Sequence, residues 1–186
     1  MENTDTARCE LNKQLFMSYW REIAYRPGAA ACLEYLEKET DYFTAPASRK
    51  HHGAFPGGLL VHNVNVCEEL LQLLPIYFGK NTNRESAIVA ALLHDVCKCN
   101  FYEQTGDGYT IRDTLPIGHG EKSLYMIART GMQLTDEEAA AIRWHMGAYG
   151  DPDKLQTLGQ AFDRYPLALF LHMADMIAAH YIELED

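Results

Sequence analysis

The chain has 186 residues and a formal net charge of -10, with 47% hydrophobic and 23% charged residues. That length suits one domain with a sizeable core and is short for two. The acidic balance disfavours extended binding to duplex DNA, and no apolar run approaches the roughly 18 residues of a membrane span.

Five cysteines (Cys9, Cys32, Cys67, Cys97, Cys99) form neither a C-x-x-C pair nor an even disulfide set, which suits a reduced, cytoplasmic setting. The first residues, MENTDTARCELNKQ, carry acids and lack the apolar stretch of a signal peptide.

Residues 1–8 are polar and expected to fray. Leu11, Leu15, Tyr19 and Ile23 recur at near-helical intervals, predicting a helix over residues 10–25 that Arg26-Pro27-Gly28 ends. A second helix is predicted over 29–39, with Leu33 and Leu36 inward. Both are expected only to pack. Residues 41–58 read as a Gly- and Pro-rich loop whose Arg49-Lys50-His51-His52 is the densest positive cluster of an acidic chain. A solvated loop and a phosphate-binding loop both fit that cluster, and it leads straight into the helix carrying His62.

That helix is predicted over 58–77, with His62 on an apolar stripe. Lys80 to Asn83 then punctuate the chain, and Thr82 or Asn83 caps the next helix. The stretch AIVAALLHDVCK, residues 87–98, places Ala87, Ala91, His94, Asp95 and Lys98 on one helical face. The apolar run implies burial, and a buried carboxylate needs a strong cationic neighbour; a metal ion would also use His94. Residues 101–113 read as a short hairpin around Gly106-Asp107-Gly108, serving as lid or connection.

A helix follows His119 and ends at Gly131. At its start, near the positive end of the dipole, the imidazole is favoured neutral, as a ligand or a cap. Thr135-Asp136-Glu137-Glu138 is a capping box for a helix that carries His145 in its last turn. Residues 150–159 read as a turn-rich connection. Pro166 opens a last helix to about residue 183, on which Asp175 falls on the apolar stripe, His172 one turn before it, and His180 projects elsewhere. The elements sum to an all-α bundle of about seven helices with one small β-hairpin.

The order His62…His94-Asp95…Asp175 resembles the HD-domain superfamily of metal-dependent phosphohydrolases. His119 and His145, lying between, extend the resemblance to its two-metal members and to residues 50–180. It implies one HD domain over 1–186, with residues 1–49 packing as N-terminal helices on a metal-site core. It implies one or two divalent transition-metal ions (Mn, Fe, Co, Ni or Zn) on His62, His94, Asp95, His119, His145 and Asp175. Asp95 would bridge; His62, His94 and Asp175 would hold one ion, and His119 with His145 the other. Asp95 and Lys98 are the expected catalytic residues, with metal-activated hydroxide attacking phosphorus and Lys98 neutralising charge. Arg49, Lys50 or His52 is expected at the substrate phosphate, and His172 as the hydrogen-bond partner behind Asp175 or simply as a core histidine.

The same ligands occur in mixed-valent di-iron oxygenases of this superfamily, and a nucleotide-binding sensor is a third reading. Part of the pattern is similar to bacterial 3′-to-5′ exoribonucleases, which carry an OB domain that this sequence does not show. A small phosphorylated substrate, above all a nucleotide, is therefore expected, with short RNA as a second candidate and neither membrane nor duplex DNA as partner. Oligomeric state is left open.

Overall fold

The computed structural model describes residues 2–106, 108–149 and 152–184. Its helices are α1 (Glu2–Ile23), α2 (Ala29–Lys38), α3 (Gly58–Phe78), α4 (Arg84–Leu93), α5 (His119–Arg129), α6 (Asp136–Trp144), α7 (Leu155–Arg164) and α8 (Pro166–Ile177). Strands β1 (Tyr102–Thr105) and β2 (Gly108–Ile111) pair antiparallel, with Tyr102 opposite Ile111 and Thr105 opposite Gly108. The hairpin falls where the sequence places it; Asp107, at its turn, lies outside the described residues, as does Met1 at the end expected to fray.

The bundle is arranged around α4. Asn83 starts this helix by accepting a hydrogen bond from the Ser86 amide, and every residue from Ser86 to Leu93 is buried. A helix apolar on all sides must be surrounded, and α1, α3, α6 and α8 surround it. Fully burying each of Ile88, Leu92 and Leu93 contributes about 1.5–3 kcal/mol. Phe16, Trp20 and Ile23 of α1, Leu36 of α2, Leu59 and Leu70 of α3 and Leu171 of α8 join the same buried cluster.

Two polar anchors fix the helices that carry the site. Thr135 and Glu138 form the expected capping box of α6. The buried Glu138 also accepts from Arg26 Nη1 at 2.7 Å, Arg26 Nη2 at 2.9 Å and Ser86 Oγ at 2.6 Å. One carboxylate thus ties the turn after α1 to α4 and α6. Likewise the buried Tyr42 hydroxyl donates to the Leu92 carbonyl at 2.6 Å and accepts from Asn63 at 2.9 Å, joining the 41–58 loop to α3 and α4.

Helix α7 begins within the stretch read as a connection, whose first residues, Gly150 and Asp151, are outside the described residues. Gly159 costs a helix about 1 kcal/mol relative to alanine. Leu158, Ala161 and Phe162 nevertheless form an apolar stripe that packs on Trp144. Beyond Ile177 the last helix widens into a π-helical turn, Ala178–Ile182. No helix among the described residues is long and apolar enough to cross a membrane.

Candidate metal centre

His94 and His145 are built by the same device. Each is the C-cap of its helix, where the last backbone carbonyls lack intrahelical partners. His94 Nδ1 donates to the Ala91 carbonyl at 2.8 Å, and His145 Nδ1 donates to the Ile142 carbonyl at 2.7 Å. That bond commits the proton to Nδ1 and turns the Nε2 lone pair outward, the orientation a metal ligand requires. After His94 the chain tightens into a 3-10 turn, Val96–Lys98, rather than continuing as α-helix. Ser123 of α5 clamps this turn, donating to the His94 carbonyl at 2.5 Å and accepting from the Cys97 amide at 3.2 Å.

His62 is oriented by a residue far along the chain. Its Nδ1 lies 3.1 Å from Glu183 Oε1, and Asn65 Nδ2 donates to the same oxygen at 2.9 Å. Glu183 closes the π-helical turn, its amide donating to the Ala178 carbonyl at 3.0 Å. Widening the turn slows the rotation of successive residues, which brings Glu183 to the side of the helix that faces His62. Ordinary helical spacing puts Ile182, not Glu183, on that face, so the sequence alone does not point to Glu183.

Asp95 is the centre of the cluster. Its Oδ2 lies 3.5 Å from His94 Nε2 and 3.7 Å from His62 Nε2, while its Oδ1 lies 2.7 Å from His119 Nε2 and 3.4 Å from His145 Nε2. Lys98 Nζ sits 2.6 Å from Oδ2. Asp175 Oδ1 is 3.1 Å from His62 Nε2 and 4.0 Å from His94 Nε2. The two histidine pairs therefore face opposite oxygens of one carboxylate.

The nitrogens converge without satisfying one another. Nε2 of His62, His94 and His145 are all buried and none has a hydrogen-bond partner; the His62–Asp175 approach has ion-pair distance but not hydrogen-bond alignment. Leaving a buried polar group unsatisfied costs about 1–3 kcal/mol. Three such nitrogens around two carboxylates are groups that divalent cations would satisfy. Ligand atoms of His62, His94 and Asp95 lie within 4.8 Å of one another, as do those of Asp95, His119 and His145, and those of His94, His145 and Asp175. The donor set of mixed nitrogen and oxygen suits transition metals.

Within the cluster, neighbouring charges pull against burial. Burial pushes the Asp95 carboxyl up, but Lys98, His94 and the close imidazoles of His119 and His145 outweigh it and hold it well below the carboxylate range. Burial, with the neighbouring His145 and His62, drives His94 down to about 3 against the pull of Asp95 and Asp175. His62 goes the other way: burial lowers it, yet Asp175 and Glu183 raise it to about 10. Burial also lowers His119, keeping its imidazole neutral against the pull of Asp95.

The cluster opens into a cavity of about 500 Å³. Asp95, Asp175, His119 and His145 form its floor, with Lys98 and His52 beside them. His52 gets there because Gly53 and Gly58 cross closely: a Cβ on Gly58 would lie 2.0 Å from the Gly53 carbonyl oxygen. Its ring stands 4.9 Å from that of His62, and burial pushes its pKa down to about 4.

Arg49 and Lys50 are exposed and do not line the cavity. Arg49 is near enough for its charge to act, with that of Lys98, on Tyr102 of the hairpin, whose phenol burial raises. No described hairpin residue lines the cavity, so the described part of the hairpin flanks Lys98 rather than covering the site. His172 does not stand behind Asp175 as expected; its Nδ1 donates to the His145 carbonyl at 2.6 Å. Helical side chains lean toward the N-terminus of their helix, so a residue one turn before Asp175 points away from it. His180, expected to project elsewhere, lines the cavity with Met146, Tyr149, Met176 and Ala179.

A helical bundle with a buried His/Asp cluster around one central aspartate is a scaffold that could hold metal ions. The HD domain family model matches residues 60–179, and the chain belongs to the HD-domain family. The chain is also similar to a dihydroneopterin 2′,3′-cyclic phosphate phosphodiesterase of Methanocaldococcus jannaschii. The two are 36% identical over 67 residues, covering 34% of this chain and only 27% of the length of the archaeal protein. No solved structure matches the chain.

Proposed function

We propose that the chain is a metal-dependent phosphohydrolase that cleaves a phosphomonoester or phosphodiester bond of a small, nucleotide-like substrate. The observation that carries this reading is the Asp95 carboxylate, with His62 and His94 at one oxygen, His119 and His145 at the other, and Lys98 at 2.6 Å. His62, His94 and Asp175 would hold one divalent ion with Asp95 Oδ2, and His119 and His145 a second with Oδ1. When bound, such ions supply Lewis acidity toward a phosphoryl group and a nucleophile at neutral pH.

The chain's own residues do the rest. Lys98 lines the cavity beside Asp95 and offers a fixed positive charge for the charge that develops on the phosphoryl oxygens. His52 brings a buried Nε2 with no protein partner, placed to donate a hydrogen bond to a phosphate oxygen. Arg49 and Lys50, on the outer surface, attract an anionic substrate without touching it at the floor.

The archaeal relative is named for a phosphodiesterase activity on a small cyclic phosphate, which supports a small phosphoester here. The same six ligands suit iron equally well, so the ligand set alone does not separate hydrolase from oxygenase; Lys98 against Asp95 favours a phosphate. The experiment is a screen of small phosphomonoesters and phosphodiesters, a 2′,3′-cyclic nucleotide included, with manganese or cobalt added and oxygen removed. Hydrolysis under those conditions is the expected result. Turnover seen only with iron, and with consumption of dioxygen, would replace this reading by the oxygenase.

A further inference from the structure

The cavity extends well beyond what a phosphate group fills. At about 500 Å³ it lies in the range of sites that take drug-sized ligands. Among its described lining residues the carboxylates are Asp95 and Asp175, both at the floor. The outer wall is different in kind. Met146 and Tyr149, just after α6, form one side; Met176, Ala179 and His180, at the end of α8, form the other.

Both sides are held in place by the residues that build the metal centre. Gly147 has φ 55°, and a Cβ there would lie 2.8 Å from the His172 ring. His172 in turn holds the His145 carbonyl at 2.6 Å. It therefore sets Met146 and Tyr149 relative to His145, one and four residues before them. On the other side, the π-helical turn that delivers Glu183 to His62 also contains Ala179 and His180. The wall is preformed, yet Tyr149 is 80% exposed and so has a free ring.

The chemistry of this wall suits a flat, polarizable group. Thioethers make favourable contacts with aromatic rings and adapt to their outline. A tyrosine ring stacks on a planar base, and an imidazole offers a donor or acceptor to ring-edge nitrogens. We propose that Met146, Tyr149, Met176, Ala179 and His180 form a subsite for one planar heteroaromatic ring carried by the substrate. The position of the phosphate on the floor rests on the phosphohydrolase reading; the affinity of the wall for a ring does not. A nucleobase and a pterin share this chemistry, and the test separates them.

Calorimetry on the metal-loaded protein would compare adenosine 5′-monophosphate, ribose 5-phosphate, adenosine and neopterin. Adenosine 5′-monophosphate is expected to bind about tenfold or more tighter than ribose 5-phosphate, the size of a single stacking contact. That preference should vanish in a Tyr149→Ala/Met176→Ala double variant and survive in Tyr149→Phe, with ribose 5-phosphate binding unchanged throughout. Neopterin binding tighter than adenosine, with the same loss in the double variant, supports the subsite and makes its ligand a pterin; the reverse order supports it and makes the ligand a nucleobase. Adenosine binding that depends on the wall, without any phosphate affinity, upholds the subsite and removes the phosphohydrolase reading. Equal affinity with and without the ring, or a preference that the double variant retains, overturns the subsite.

Discussion

Glu183 accepts a hydrogen bond from His62 Nδ1 at 3.1 Å, although 121 residues of chain separate them. A carboxylate on the far nitrogen of a ligating histidine fixes its tautomer and strengthens it as a donor to metal; removing such a partner typically costs 10–100-fold in affinity. Glu183→Ala is therefore expected to weaken metal binding by about that factor while leaving the helical content intact. Calorimetric titration with manganese, alongside circular dichroism, checks this. Wild-type affinity in the variant would show that His62 needs no support from Glu183.

Lys98 is held by Asp95 at 2.6 Å and its side chain is 12% exposed. If it neutralises phosphoryl charge, Lys98→Ala should lower kcat on a small phosphoester by about tenfold or more, in line with losses on deleting single electrostatic donors. Metal content should stay the same, since lysine is not among the ligands. Unchanged turnover would reduce Lys98 to a counter-charge for Asp95.

Substrate size follows from charge. The chain carries -10, and its cationic cluster before His62 puts Arg49 and Lys50 at the surface. A protein tracking single-stranded RNA loses affinity with salt at a log–log slope of about -0.7 per phosphate neutralised. Arg49, Lys50 and Lys98 suffice for two or three phosphates at most. The KM of a dinucleotide should accordingly vary little with salt, and a twenty-nucleotide RNA should be turned over more slowly. A preference for the long RNA that collapses as salt is raised would contradict the small-substrate account.

The fold has its own test in Glu138, whose side chain is fully buried against Arg26. Breaking a buried ion pair by removing one partner costs about 3–5 kcal/mol, because the other charge is left uncompensated. Arg26→Ala is expected to lose stability on that scale in urea denaturation. A loss under about 1 kcal/mol would mean that Ser86 and the Thr135 amide satisfy Glu138 without the guanidinium.

The cluster was legible in the sequence to the extent that chain order and helical spacing carry it. His62, His94, Asp95, His119, His145 and Asp175 stand out as polar residues on or beside apolar helical stripes, in an order shared with a known family. The capping box of α6 and the hairpin were likewise written locally. What escaped was set by tertiary packing. Helix α7 was hidden because Gly159 and the nearby Asp and Pro residues look like a turn until Trp144 supplies a surface for Leu158 and Ala161. Glu183 and His180 were hidden by the π-helical turn, since ordinary helical periodicity points both away from the site. The bond from His172 to the His145 carbonyl is not legible either, because spacing along α8 says nothing about the C-terminus of α6 that lies against it.

The central claim is that Asp95 joins two metal positions, and elemental analysis of protein purified without chelator tests it most directly. Up to two transition-metal ions per chain are expected in the wild type, one fewer in His119→Ala, and essentially none in Asp95→Ala. Metal content unchanged in both His94→Ala and Asp95→Ala would contradict the account.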